Sequence, residues 1–313
     1  MAYRHVPVMR REVLAYLDCR PGMVVVDGTL GGAGHARDIC ERIAPGGRLI
    51  GIDQDPEAIA NARIVLEPFS GRVDLVRENF ANMAEVLSRL GVGGADGILL
   101  DLGLSLNQLK NSGRGFSFQR EEPLDMRMDP CTGQTAADLV GRLEESELER
   151  IFRDYGEERH ARPIARRLTA ERRRQPIRTS AELARVVCAA VPRAKAGRGR
   201  IHPATRVFMA LRIAVNRELE RLETFLEELP RLLNPGGRVC ILSFHSLEDR
   251  IVKQHFKALA QEPRRNPWPG EPATQPGGIL KLLTRKVVRP GPDEIAENPM
   301  ARSTKLRAAE RLR

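Results

Sequence analysis

An apolar run, Met23 to Val26, ends in Asp27 and breaks at once into a glycine-rich turn and a helix-forming segment, MVVVDGTLGGAGHA. A first strand that ends this way can pass its turn against a nucleotide-like cofactor. Without Cβ atoms, Gly31, Gly32 and Gly34 can adopt positive φ and bring the backbone close to a ligand, and the helix that follows offers N–H groups at its start. Further on, in GIDQDP, a second apolar run from Arg48 to Ile52 ends at Asp53, where a carboxylate can accept both hydroxyls of a ribose. That spacing serves a dinucleotide enzyme and an S-adenosyl-L-methionine enzyme alike. The strict dinucleotide pattern fails, because Gly32-Ala33-Gly34 is followed by His35, Ala36 and Arg37 where a third glycine belongs. The balance moves towards S-adenosyl-L-methionine. The plainer reading of the turn is a connector between strand and helix and nothing else.

The rhythm around the turn sets the fold class. Strand-like runs at Met23 to Val26, Arg48 to Ile52, Val73 to Val76 and Gly97 to Leu100 alternate with helical stretches at Ala36 to Ile43, Pro56 to Glu67 and Asn82 to Leu90. Alternation at this spacing predicts a parallel sheet with right-handed crossovers. After Asp101 the rhythm stops, and Thr135 to Val191 is helical only, with apolar residues three and four apart. It resumes with an amphipathic helix over Ala204 to Leu229, an Asn-Pro-Gly-Gly turn and the apolar run Arg238 to Leu242, which ends in Ser243-Phe244-His245-Ser246. A helix around Ile251 to Leu259, a proline-rich loop from Pro263 to Gly278 and a strand pair around Leu280 to Val288 complete the sheet. The expectation is an α/β Rossmann-like domain made of residues 1–113 and 205–313, interrupted by an all-helical domain over 114–204.

At 313 residues and 42% hydrophobic, the chain can build a sizeable core. No long apolar run or signal-like start is present, so a cytoplasmic protein without a membrane partner is expected. Five scattered cysteines without a CxxC pair argue against disulfides, and six scattered histidines without HExxH argue against a protein-bound metal. The net charge of +10 asks for a polyanionic partner. It is concentrated: from Arg159 to Arg200 thirteen Arg or Lys face only Glu171 and Glu182, a local net of +11. A solvated helix face is the bland reading of such a run. Its single sign, and arginines in RRLTAERRRQPIR and PRAKAGRGR, favour phosphate contacts by Arg172, Arg173, Arg174, Arg193, Lys195, Arg198 and Arg200. Aromatics, at 4%, are too few for an RRM-like stacking platform, so recognition would rest on charge and shape.

Ligands of such a sheet bind at the carboxyl ends of its strands. Asp101, at the end of DGILLD, could accept a hydrogen bond from a substrate amine or from the cofactor, or could serve only as a helix cap. Ser243, His245 and Ser246 end the next strand without a GxSxG elbow, which argues against a hydrolase triad. His245 reads equally as a structural histidine.

HVPVM at His5, DGTLGGAGHA at Asp27, GIDQDP at Gly51, DGILLDLG at Asp96, RGFSF at Arg114, PLDMRMD at Pro123, YGEER at Tyr155, HPATRVFMALRIAVNREL at His202, SFHSLEDRIVK at Ser243 and ENPMARSTKLRAAER at Glu297 resemble, in order and over nearly the whole chain, the MraW (RsmH) family. The resemblance implies a class I S-adenosyl-L-methionine-dependent methyltransferase fold with an inserted helical domain. It implies methylation of the exocyclic N4 of a cytidine in the decoding centre of 16S rRNA, with the small ribosomal subunit as partner and a monomer or homodimer as the working form. Carried over position by position, the cofactor contacts fall on Ala33, Gly34, His35, Asp53, Phe80, Asp101 and Gln108. The catalytic neighbourhood is Asp101 with Ser243 and His245. The chain departs from the family after the fourth strand, where DLGLSLNQL lacks a serine and the proline of DLGVSSPQL and so loosens the loop that carries Gln108. An NAD-dependent oxidoreductase and a non-catalytic RNA-binding protein are the two other classes to exclude.

Overall fold

The structure, a computed structural model, describes residues 7–191, 202–261 and 278–312. Its contacts divide the chain into two units, one made of Met1–Gly103 with Leu219–Arg313 and one of Leu104–Glu218.

The first unit is built on seven strands: β1 (Val24–Asp27), β2 (Arg48–Asp53), β3 (Val73–Arg77), β4 (Ala95–Asp101), β5 (Leu233–Ser243), β6 (Leu280–Leu282) and β7 (Lys305–Arg311). Their order is β3-β2-β1-β4-β5-β7-β6, with the first five parallel and β7 antiparallel to both of its neighbours. The central strands read as unbroken apolar runs because both faces are covered. On one face Val26, Ile50, Ile98 and Ile241 pack with α4 (Met83–Arg89), α11 (Glu218–Leu232) and α12 (Ser246–Ala260). On the other, Val25, Leu49, Leu99 and Leu242 pack with α1 (Arg10–Leu17), α2 (Gly34–Ile43) and α3 (Pro56–Val65). A last short helix, α13 (Pro292–Glu297), precedes β7. The dinucleotide-binding order 3-2-1-4-5-6 has no strand between the fifth and sixth. The antiparallel β7 inserted there gives the class I methyltransferase sheet. Among the described residues no helix is long and apolar enough to cross a membrane.

β7 is an addition to the sequence expectation, which ended the sheet with a strand pair around Leu280 to Val288. Only β6 and a single bridge from Val288 to Leu306 form there. KLRAAER is composed of good helix formers. Pairing with β5, from Arg238 opposite Glu310 to Ser243 opposite Lys305, overrides that preference.

The second unit holds α5 (Leu106–Lys110), α6 (Ala136–Arg142), α7 (Glu145–Asp154), α8 (Ala161–Arg172), α9 (Ser180–Ala190) and α10 (Ala204–Asn216) around Val140, Phe152, Ile164, Leu168, Leu183, Val187 and Leu211. Thr135 and Thr179 close capping boxes at the starts of α6 and α9. The insertion is longer than the 114–204 expected, because α10 buries Ala204, Val207 and Phe208 in this helical core. The single helix expected from Ala204 to Leu229 is two. Arg217 takes a left-handed φ of 50°. Beside it, Asn216 accepts from Met128 N at 2.7 Å and donates to Met126 O at 2.8 Å, which ties the end of α10 to the PLDMRMD loop.

Gly28, the first residue after β1, is fixed by packing. A Cβ there would lie 2.5 Å from Leu100 Cδ2 and 3.1 Å from Met83 Cε. Gly28→Val should therefore lower the unfolding free energy by about 1–3 kcal/mol in a urea titration, with the m-value unchanged.

Candidate active site

Asp53, Asp27 and Asp101 end β2, β1 and β4, three neighbouring strands, so one sheet edge carries three carboxyl groups. The turn after β1 is sewn to both flanking strands. Gly28 N donates to Leu99 O at 2.9 Å, Leu30 N to Ile52 O at 3.2 Å, and Asp101 N to Thr29 Oγ1 at 2.6 Å. Asp53 accepts from Gly31 N and from Asp55 N, each at 2.9 Å. A carboxylate has room for about four hydrogen bonds, so these two do not by themselves exhaust it.

Within the turn only Gly31, at φ 46°, uses a glycine's left-handed freedom. The second left-handed residue is Ala33, at φ 60° and fully buried, and Gly34 begins α2. Gly34 is small for a different reason, since a Cβ on it would meet Pro7 Cγ at 2.8 Å. No side chain caps α2, so the partial positive charge of its first turn faces the strand ends. His35, in that first turn, is buried with Nε2 3.8 Å from Asp101 Oδ2. Phe80 follows β3 and meets Phe225 edge-on at 6.0 Å.

The electrostatics single out Asp101. Burial, then the charges of Asp27 and Glu248, push its carboxyl up to about 8. Its Oδ1 is buried and has no hydrogen-bond partner among the described residues. Asp27 is pushed up to about 7 by burial and by Asp53, against the N–H of Thr29, which favours the ionised form. An uncapped helix start suits a carboxylate, Asp53 a vicinal diol, and a buried carboxyl with an uncommitted oxygen a cation or an amine N–H. These residues fit the amino acid, ribose and sulfonium parts of S-adenosyl-L-methionine.

Other expected residues have structural work. Ser243 Oγ donates to Lys305 O at 3.3 Å across the β5–β7 pair and is buried there. His245 is the N-cap of α12: its Nδ1 accepts from Glu248 N at 3.4 Å, while Glu248 Oε2 accepts from Phe244 N and His245 N. The H-S-L-E spacing is a capping box with histidine in place of serine or threonine. Gln108 lies in the second unit, buried, and closes the α5 capping box with Ser105. Arg172 donates to Val140 O and Leu143 O at 2.7 and 2.6 Å, so it ties down the end of α6, whereas Arg173 and Arg174 are exposed. Arg193, Lys195, Arg198 and Arg200 lie outside the described residues. Thr29 and Glu248 join the site without having been singled out. The DGT tripeptide, with a hydroxyl two residues past a strand-end carboxylate, is the signal that points to Thr29.

Residues 2–312 match the model of the MraW methylase family. The chain belongs to that family. It is 52% identical over 314 residues to a protein of Desulfosudis oleivorans and 53% identical over 315 residues to one of Geobacter sulfurreducens, each match covering all of both chains. Both relatives are named ribosomal RNA small subunit methyltransferase H. A solved rRNA methylase of Streptococcus thermophilus aligns with 97% of this chain and 94% of its own at 9% identity and a TM-score of 0.42. The class I sheet of this MraW methylase and the fit of its strand-end residues make S-adenosyl-L-methionine the cofactor.

The raised Asp101 carboxyl carries a stability signature. The folded state holds its proton up to about pH 8, whereas the unfolded chain ionises near the ordinary value of about 4. Stability from this group is therefore complete below about pH 4 and is lost as pH rises through 8. Asp101→Asn removes that loss and should raise the Tm of the ligand-free protein by at least roughly 2–4 °C at pH 8.5, with the gain vanishing near pH 4. A gain independent of pH would place the Asp101 carboxyl in ordinary solvent.

Proposed function

We propose that this MraW methylase transfers the methyl group of S-adenosyl-L-methionine to the exocyclic N4 of a cytidine in the decoding centre of 16S rRNA. The observation that carries the reading is the buried Asp101 Oδ1, uncommitted at the end of β4 beside the glycine turn. The names of the relatives support the substrate class.

The sulfonium of S-adenosyl-L-methionine supplies an already activated methyl group. The chain's residues have to hold donor and acceptor in line, exclude water and localise the lone pair of N4, which is delocalised into the cytosine ring. In its ionised form, which a cationic cofactor beside it would favour, Asp101 accepts an N–H of the amine, draws that bond out of conjugation and takes the proton that N4 sheds when its new bond to carbon forms. A carboxyl held near neutrality is matched to that exchange. The Asp53 carboxylate binds the ribose, the start of α2 at Ala33 to His35 receives the amino acid carboxylate, and Phe80 makes apolar contact with the adenine. Ser243 and His245 act as positioning residues that fix the end of β5 and the start of α12. The target base leaves its stack to reach Asp101, and exposed arginines on the inserted unit, Arg173 and Arg174 among them, grip flanking phosphates.

Methyl transfer from labelled S-adenosyl-L-methionine to small subunits, with the modified nucleoside identified, tests the reaction; N4-methylcytidine is expected, and methylation of any other atom overturns the assignment. Asp53→Asn should weaken cofactor binding roughly 10-fold or more in calorimetry while leaving RNA affinity unchanged. The double variant Arg173→Gln, Arg174→Gln should leave cofactor affinity intact and make the slope of log RNA affinity against log salt shallower by about 1–2 units. Arg172→Gln should instead lower thermal stability, since two carbonyls lose their donor.

A further inference from the structure

The inserted unit carries an aromatic ledge that the cofactor site does not use. His202 stacks on Phe118 with ring centroids 4.3 Å apart and planes 16° from parallel, and Phe118 in turn meets the buried Phe208 edge-on at 5.4 Å. The imidazole is held in its plane at both nitrogens. Ala204 N donates to Nδ1 at 3.2 Å, and Cys188 Sγ lies 3.8 Å from Nε2. The donation to Nδ1 assigns the ring proton to Nε2, which points it at the sulfur. His202 is exposed although one face lies on Phe118 and both nitrogens are engaged. A rigid, flat, exposed ring has already lost the rotamer freedom that stacking would otherwise cost.

The surroundings state which planar ligand suits it. Cys188 and Arg185 are both exposed on α9, one turn apart, so a cation shares the face that reaches the ring. An aromatic plane next to cations is the arrangement that binds an unpaired base together with its phosphate. We infer that the His202–Phe118 ledge is a stacking site for one unpaired nucleobase of the RNA substrate. This rests on the rRNA methyltransferase reading, and it supplies what the scarcity of aromatic residues argued against: one ledge in place of a platform. A duplex has no base free to stack there, so the ledge selects single-stranded or looped RNA. A short apolar peptide side chain is the competing occupant, and the test separates it.

The full-length protein is titrated with a single-stranded RNA oligonucleotide and with a duplex of the same length, in parallel with methyl transfer to small subunits. His202→Ala should weaken single-strand binding roughly 10-fold and leave duplex binding and the salt slope unchanged, because a stacked base contributes no counterion release. His202→Phe should restore affinity to within about 3-fold, as any aromatic plane stacks. Cofactor affinity should be the same in all three proteins. Single-strand affinity unchanged in His202→Ala, as a site for an apolar peptide would give, overturns the inference, as does equal loss in the alanine and phenylalanine variants. Equal weakening of single-strand and duplex binding also overturns it. If the wild type methylates no rRNA, the catalytic reading fails, while the two RNA titrations still report on the ledge.

Discussion

Gly31 N donating to Asp53 is the bond on which the candidate site depends. It joins the turn after β1 to the end of β2, and the Thr29 hydroxyl joins the same turn to the end of β4. The turn is therefore clamped between the strands on both sides. Its two left-handed residues, Gly31 and Ala33, are held in place by the sheet itself. Asp53 has two tasks that pull in the same direction: the carboxylate that shapes the turn is also the one that a ribose would meet.

The same geometry explains the electrostatics. Neighbouring parallel strands end at the same edge, and Asp53 and Asp101 each stand two residues beyond the partner of Asp27 in its neighbouring strand. Burial raises both Asp27 and Asp101, with the charge of Asp53 adding to the first and those of Asp27 and Glu248 to the second. Asp101 stands out because one oxygen has no protein donor to satisfy it, whereas Asp27 receives the N–H of Thr29. A cationic or N–H-bearing ligand restores what folding took from that oxygen.

Much of this was legible in the chain. The strands β1, β2 and β4 are largely apolar runs, as doubly covered strands need to be, and the residues that end them, Asp27, Asp53 and Asp101, stand where the sequence put them. What could not be read were the partners. Nothing local in KLRAAER marks a strand, because its reason to extend lies more than sixty residues away in β5. Ser243 and His245 have the chemistry of a catalytic cluster, yet the hydroxyl of the first is spent on Lys305 O and Nδ1 of the second on the start of α12. Arg172 has the same charge as Arg173 and Arg174, and only the carbonyls of Val140 and Leu143 distinguish it. Composition gives a side chain's capacity, and the fold decides where that capacity is used.

The insertion of β7 between β5 and β6 also has a meaning for the order in which the molecule can come into being. β6 leaves the ribosome before β7, yet its ladder bonds are all to β7, and β5 must wait for the same strand to cover its open edge. Until residues Lys305–Arg311 have emerged, the growing chain presents a half-built sheet with an unpaired apolar margin. The molecule is thus closed late, when Lys305–Arg311 pairs with β5 on one side and β6 on the other.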